Sequence, residues 1–167
     1  MVKGCLSSVN FSVFINGKPR GHFGASRGIR QGDPLSPFLF ILIADTLSRL
    51  MKRACDKDLI EGFVIGRDKV RLSHLQFAND SIFFMSNKED NIINLMGVLN
   101  LFSLISGLKV NMGKSKVVGI NMEAGRVDDI ANGMGCSKGS WPMEYLGLPL
   151  GGNPSSYVFW EPVIEKR

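Results

Sequence analysis

Residues 71–84 read RLSHLQFANDSIFF, with an apolar run on each side of the polar pair Asn79–Asp80. Apolar side chains alternate along both runs: Leu75 and Phe77 in the first, Ile82 and Phe84 in the second. This period of two predicts two half-buried strands. Asn and Asp both tolerate a positive φ, so the pair suits the two-residue turn of a hairpin.

The pair Asn79–Asp80 allows two interpretations. In the first, it is a polar turn and nothing more, because turn chemistry alone explains both residues. In the second, the hairpin holds the Asp80 carboxylate at a strand tip, where it binds a divalent metal ion. The pair by itself favours the first, and the rest of the chain has to separate them.

Composition places the chain among ordinary globular proteins. It has 167 residues, of which 44% are hydrophobic and 21% charged, enough for one domain with a core. The longest apolar stretch, 38–44, is too short to span a bilayer, and no secretory leader opens the chain, so we expect no membrane partner. The cysteines are far apart and odd in number, which predicts reduced thiols without a zinc site: Cys5, Cys55 and Cys136.

The formal net charge is +5, with a pI near 9.3. Such a balance is compatible with a polyanionic partner and equally with a plain basic surface. The segment 108–120 carries Lys109, Lys114 and Lys116, which are either phosphate contacts or a solvated face.

The first part of the chain predicts a hairpin and a long helix. Asn16–Gly17 is a strong hairpin-turn signal. Asp33 followed by Pro34 predicts a helix start, and apolar spacing continues the helix over 35–54. The apolar stripe is widest in the first half of this helix, which we expect to be buried nearly all round. The glycine- and arginine-containing loop 27–32 before it is either a phosphate site or a simple capped helix start.

The remaining chain alternates between short strands and helices. We expect a hairpin over 60–77 with its turn at 66–69, a helix over 88–106 ended by Gly107, and a short helix over 123–134. A strand with a tight turn follows at 144–152, and a helix begins near Pro154. The predicted fold class is α+β, with helices packed on one face of an antiparallel sheet.

Four motifs in a fixed order resemble those of reverse transcriptases from non-LTR (LINE-like) retrotransposons, especially the type abundant in plants. The resemblance is carried by RGIRQGDPLSP at 27–37 (motif B), LQFANDS at 75–81 (motif C), GLKVNMGKS at 107–115 (motif D) and YLG at 145–147 (motif E). It implies a right-hand polymerase palm and RNA-templated DNA synthesis. The implied partners are an RNA template, a DNA primer and deoxynucleotides, and the resemblance leaves the oligomeric state open.

In this family two Mg²⁺ ions held by aspartates activate the primer 3′-hydroxyl and steady the leaving pyrophosphate. The resemblance implies that Asp80 is a metal carboxylate and that Asn79 occupies the position of a second one. It implies that Lys114 is a proton donor or phosphate contact.

The resemblance also assigns binding roles. Gln31 and Gly32 would line the pocket for the incoming nucleotide and the template, and Arg30 would lie near the nucleotide phosphates. Tyr145 and Gly147 would help to hold the primer strand.

The chain departs from the family at two places. Motif C normally ends in Phe-Ala-Asp-Asp, and here Asn79 replaces the first Asp with an uncharged amide. The family's first catalytic aspartate lies several dozen residues before motif B, whereas residues 1–26 contain no Asp or Glu. We therefore expect residues 1–167 to be a partial reverse transcriptase domain, a palm without the first catalytic motif, the fingers or the thumb.

These departures predict a degenerate copy without activity. One alternative is a non-catalytic nucleic-acid-binding remnant that uses the basic loops, and another is a translated remnant with no selected role. The residues of the binding alternative are Arg27, Arg30, Lys109 and Lys114. The family implies an intracellular location, in the nucleus or the cytoplasm.

Overall fold

The computed structural model describes residues 10–24 and 32–165, and it confirms a mixed α/β chain. The described helices are α1 (Leu35–Asp56), α2 (Glu89–Ser106), α3 (Ala124–Met134) and α4 (Tyr157–Ile164), with a 3₁₀ turn at Met112–Lys114. The described strands are β1 (Asn10–Ile15), β2 (Lys18–Gly24), β3 (Phe63–Ile65), β4 (Val70–Leu72), β5 (His74–Phe77), β6 (Asp80–Phe83), β7 (Lys116–Val117), β8 (Ser137–Lys138), β9 (Met143–Tyr145) and β10 (Leu148–Leu150). No helix among these is long and apolar enough to cross a membrane.

The strands pair locally. The described strands form four antiparallel hairpins, β1–β2, β3–β4, β5–β6 and β9–β10, and β7 pairs with β8 in parallel. Within residues 10–24 and 32–165, no backbone ladder joins these pairs into a larger sheet, so the single antiparallel sheet is not confirmed. The parallel pair was not expected. It uses α3 as the connection that parallel strands require.

Turn and cap chemistry account for most of the element boundaries. Asn16 and Gly17 take φ values of 52° and 73°, as the type I′ turn of an Asn-Gly hairpin requires. The Asp33 carboxylate accepts a hydrogen bond from the backbone N–H of Leu35 at 2.8 Å and so caps the start of α1. Gly107 ends α2 in the left-handed conformation, at φ 73°.

The chain divides into two compact units, residues 1–107 and 108–167. In the first, α1 packs against α2 over an apolar core. Met51 and Ile60 are completely buried, at 0% exposure. The other buried apolar residues in the described part of this unit are Leu47, Ala54, Cys55, Leu95, Leu99 and Phe102.

The first half of α1 contradicts its prediction. Phe38, Ile41 and Leu42 are 66%, 62% and 65% exposed. All buried positions of α1 lie from Leu47 onward. Burial of a helix face requires a partner that covers it, and the apolar spacing of one helix does not specify how far that partner extends. The apolar stripe was identified correctly, and the extent of its burial was not.

In the second unit, α3 buries Val127 and Ala131 and contacts both β7 and β8. The predicted strand with a tight turn at 144–152 is the hairpin β9–β10, which has two strands and turns through Leu146 and Gly147 at φ 54° and 80°. A bulky Leu at positive φ is unusual, so sequence alone gave no reason to place a turn there.

Candidate metal and nucleic-acid site

The hairpin β5–β6 positions the candidate metal residues. Its register pairs Phe77 with Asp80, so the two turn residues are Ala78 and Asn79, and Asp80 is the first residue of β6. The prediction that Asn79–Asp80 forms the turn is therefore wrong by one residue. The pairing between the strands sets the turn position, and it outweighs the preference of Asp for a turn.

The turn places its unusual conformation beside the carboxylate. Ala78 has φ 49°, while Asn79 is not at positive φ. A positive φ at the first of two turn residues fits a type II′ turn, in which Gly is usual. An L-residue with a Cβ in this region costs about 1–2 kcal/mol. The tip next to Asp80 is therefore backbone-strained.

The tip of β5–β6 carries too little negative charge to hold two divalent metal ions. Asn79 and Asp80 are both exposed, and neither side chain has a hydrogen bond or ion pair to the described part of the chain. Among residues 10–24 and 32–165, no group of three or more His, Cys, Asp or Glu side chains is placed to hold a metal ion. One carboxylate and one amide therefore do not fit the two Mg²⁺ ions that the family uses.

Of the predicted nucleotide-pocket residues, the structure describes Gly32. It is exposed, and its φ of 84° lies in the region that favours glycine, directly before the cap of α1. Arg30 and Gln31 lie outside the described residues.

The remaining candidates belong to the second unit. Lys114 ends the 3₁₀ turn, where its backbone N–H donates to the Asn111 side-chain oxygen at 3.2 Å, and its side chain is exposed. Tyr145 immediately precedes the turn of β9–β10, and Gly147 lies in it. The Tyr145 hydroxyl is buried without a hydrogen-bond partner among the described residues. The structure thus brings Tyr145 and Gly147 together, and it places both in a different unit from Asp80.

A polar network between α1 and β5 was missed at the sequence level. His74 contacts Ser48 of α1 through Nε2 (3.1 Å) and Ser73 through Nδ1 (3.0 Å), and the Ser48 hydroxyl donates to the Gln76 side-chain oxygen (3.2 Å). Burial lowers the pKa of His74 below its ordinary value. The signal that was available is the alternation of His74 and Gln76 with apolar residues along β5.

The polar residues of β5 face the helix and its apolar residues are exposed, which is the reverse of the usual arrangement of a half-buried strand. Leu75 and Phe77 are 38% and 62% exposed, whereas His74 and Gln76 are half-buried and bonded to the helix. The apolar positions of β5 are therefore the outer ones among the described residues. The choice of which set faces the helix depends on tertiary contacts, and period-two patterning leaves it undetermined.

Comparison with known proteins identifies the class. The chain belongs to the reverse transcriptase (RNA-dependent DNA polymerase) family, whose profile matches residues 1–150.

The individual relatives narrow the class to non-LTR retrotransposons. The chain is 34% identical over 127 residues to the Pol polyprotein of a retrotransposable element R2 from Popillia japonica, covering 74% of this chain and 17% of the relative. It is 34% identical over 98 residues to the Pol polyprotein of element R2DM from Drosophila melanogaster, covering 59% and 8%. The chain is accordingly a reverse transcriptase domain of the non-LTR type.

A plant relative is also similar. An uncharacterized mitochondrial protein of Arabidopsis thaliana is 48% identical over 67 residues, which cover 40% of this chain and 55% of that protein. The matched region thus spans about half of the plant relative and less than a fifth of the two Pol polyproteins.

Proposed function

We propose that this chain is a palm segment of the RNA-directed DNA polymerase of a non-LTR retrotransposon, and that it is a degenerate copy whose own residues do not perform nucleotidyl transfer. One observation carries the proposal: the tip of β5–β6 presents Asp80 as its lone carboxylate, directly after the amide of Asn79. The finer architecture, a right-hand palm with helices behind one sheet, is part of the proposal.

Charge is the reason for the proposed inactivity. A two-metal site places two divalent cations within about 4 Å of each other, and anionic carboxylates offset their repulsion. An amide oxygen is a ligand for Mg²⁺ but brings no charge. Electrostatic stabilisation is usually the largest catalytic contribution, so a missing carboxylate costs orders of magnitude in rate.

The remaining family roles apply to the intact domain. Arg30, Gln31 and Gly32 would contact the incoming nucleotide and the RNA template, and Tyr145 and Gly147 the DNA primer. Lys114 would contact phosphate or donate a proton. We place the protein in the nucleus or the cytoplasm, where the family acts.

Primer extension on an RNA template with Mg²⁺ tests the proposal. The 167-residue chain is expected to give no product. In a longer chain that supplies the family's first catalytic aspartate, Asn79→Asp is expected to raise extension by about a hundredfold or more.

The matched control is Ser81→Asp in the same longer chain. It adds the same charge two residues after Asn79. Successive side chains of a strand point to opposite faces, so residue 81 lies on the opposite face of β6 from Asp80. It should give no gain. Efficient extension by the chain with Asn79 intact, or equal gains from both substitutions, contradicts the proposal.

A second candidate function, nucleic-acid binding without synthesis, is favoured by the lysines of the second unit. Lys109, Lys114 and Lys116 are exposed, and none forms an ion pair within the described residues. Free lysines on one segment are suited to phosphate contacts. Such contacts release counterions from the nucleic acid, so the binding affinity falls as the salt concentration rises.

Salt dependence tests this binding. Three phosphate contacts to a single strand give a log–log slope of about −2, at about −0.7 per contact. Replacing the three lysines with Gln should remove most of that slope. The control triple variant Lys52→Gln, Lys57→Gln and Lys69→Gln removes the same charge from other exposed sites and should keep it. An affinity that does not change with salt argues against nucleic-acid binding.

A further inference from the structure

The hairpin that carries Asp80 is fixed to helix α1 by polar contacts at one strand, β5. We infer that His74 is a positioning residue: it donates a hydrogen bond to Ser48 on α1, accepts one from Ser73, and thereby sets the orientation of the β5–β6 tip. The inference rests on the proposed function only where it takes Asp80 as the group being positioned.

The hydrogen-bond partners determine where the protons lie. The Ser48 hydroxyl has a single proton, and it donates this proton to the Gln76 side-chain oxygen at 3.2 Å. Ser48 Oγ must then accept at 3.1 Å from Nε2 of His74, which carries the ring proton. A neutral ring with a protonated Nε2 leaves Nδ1 as an acceptor, and the Ser73 hydroxyl donates to it at 3.0 Å.

The surroundings keep the ring neutral. His74 is half-buried between helix and strand, and its contacts are hydroxyl groups. The charged residues one turn before and one position after Ser48 on α1, Asp45 and Arg49, pair with each other at 2.6 Å. Both described hydrogen bonds of the ring go to serine hydroxyls, so no carboxylate among the described residues is bonded to it.

Polar contacts matter here because apolar burial on β5 is weak. Leu75 and Phe77 are on the exposed side of the strand. The backbone N–H of Phe84 donates to the Ser73 carbonyl at 2.8 Å, which continues the pairing of the two strands past His74. The His74–Ser48 contact and the Ser48–Gln76 contact are thus the described side-chain hydrogen bonds from β5 to the helix.

A small change in the orientation of β5 at His74 displaces Asp80 by a larger distance, because Asp80 lies farther along the hairpin. Asp80 pairs with Phe77, three residues along β5 from His74, which is about 10 Å. A tilt of about 10° at His74 therefore moves the tip by about 2 Å. Metal and catalytic groups must be held within about 0.5 Å, so this anchor is placed where it controls the geometry.

Amide hydrogen exchange in the 167-residue chain tests the inference. Ser48→Ala removes the acceptor on α1 and leaves His74 in place. We expect it to raise exchange at 80–83 by about tenfold, the scale of one hydrogen bond, while the amides of Leu95 and Leu99 in α2 keep their protection. His74→Leu should act in the same way.

Two further variants separate positioning from packing. His74→Gln keeps a donor at the position of Nε2 and should restore near-wild-type protection, although it changes the ring. His22→Leu removes the other histidine, which contacts Ser12 at 2.9 Å within β1–β2, and should leave 80–83 unchanged. In wild type, the ¹⁵N shifts of the His74 ring should show a protonated Nε2 and an unprotonated Nδ1.

The outcomes are distinct from those of the proposed function. Equal protection of 80–83 in wild type, Ser48→Ala and His74→Leu overturns the positioning role. Failure of His74→Gln to restore protection also overturns it. Mn²⁺ broadening at the tip reports on metal binding alone: if Mn²⁺ does not bind near Asp80 even in Asn79→Asp while Ser48→Ala still loses protection, positioning stands and the metal role of Asp80 falls.

Discussion

Hairpins β1–β2 and β5–β6 have the same local plan and are stabilised differently. The first turns through Asn16 and Gly17, residues that suit their positive φ values, and its His22 bonds to Ser12 within the hairpin. The second turns through Ala78 at φ 49°, and its His74 bonds across to α1. The described contacts of the first hairpin are local and include the stacked rings of Phe11 and Phe23. The second hairpin also bonds to α1, and it holds the candidate site.

The largest effect should come from the apolar core of the first unit, where α1, the helix that bonds to the second hairpin, packs against α2. Ile60 is completely buried, so Ile60→Ala is expected to cost about 2–5 kcal/mol in the free energy of unfolding. Exchange at β5–β6 should rise with the loosening of α1 and α2. Urea unfolding measures the loss.

The control for Ile60→Ala is Ile15→Ala in β1, whose side chain is 55% exposed. It should change stability by less than about 0.5 kcal/mol. Equal losses from the two variants would show that both hairpins depend on buried packing to the same degree.

A second test makes the first turn resemble the other. Gly17→Ala puts a Cβ at φ 73° and should cost about 1–2 kcal/mol, mostly as faster exchange in β1–β2. Gly113→Ala is a suitable control, because that glycine is not at positive φ and its added Cβ meets only the Asn111 side chain, at 3.6 Å. A neutral Gly17→Ala contradicts the claim that this turn is fixed by its own residues.

The reverse change relaxes the second turn. Ala78→Gly removes about 1–2 kcal/mol of backbone strain, while the greater loss of chain entropy on folding costs about 0.5–1 kcal/mol. The free energy of unfolding is therefore expected to rise by about 0.5–1 kcal/mol. Asn79→Gly, at a residue without positive φ, should only destabilise. Thermal unfolding ranks the two, and a loss of stability in Ala78→Gly would refute the strain assigned to this turn.

The smallest effect is the pH dependence contributed by His74. Its pKa is lowered in the folded state by burial, so the unfolded chain binds more protons as pH falls below about 6.5. Stability is therefore full above that pH and declines as pH falls through the interval between the unfolded and folded pKa values. His74→Gln should flatten the melting temperature between pH 7.5 and 5, where the wild-type chain should show the decline.

The lower limit of pH 5 excludes the Glu61 carboxyl as the cause of this decline in stability. The hydrogen bond from Lys88 to Glu61 lowers the pKa of this carboxyl, so its contribution is lost only below about pH 4.5. A decline that persists unchanged in His74→Gln assigns the pH dependence to a different residue.

Local chemistry made most of the elements predictable. Asn16–Gly17, Asp33 and Gly107 each act through their own backbone, and the structure confirms the boundaries that they set. The burial of α1 and the buried face of β5 were not predictable, because they depend on which partner covers each surface. For the same reason the His74–Ser48 contact, which joins residues 26 apart in sequence, left no local signal.

For the candidate site too, some features were predictable from the sequence and others were not. Motif order was sufficient to identify the family, and the comparisons confirm it. The turn register was off by one residue, since strand pairing rather than the Asn-Asp preference determines that Ala78 and Asn79 form the tip. The metal role of Asp80 and the binding roles of Lys114, Tyr145 and Gly147 stay predictions.

A Mn²⁺ titration followed by NMR line broadening at 78–81 tests the central claim, that Asn79 leaves the tip of β5–β6 without a metal site. The account predicts no localised broadening in the wild-type chain, and in Asn79→Asp a Mn²⁺ affinity at least about tenfold higher than in Ser81→Asp. Tight, localised Mn²⁺ binding by the wild-type chain, or no difference between Asn79→Asp and Ser81→Asp, would contradict it.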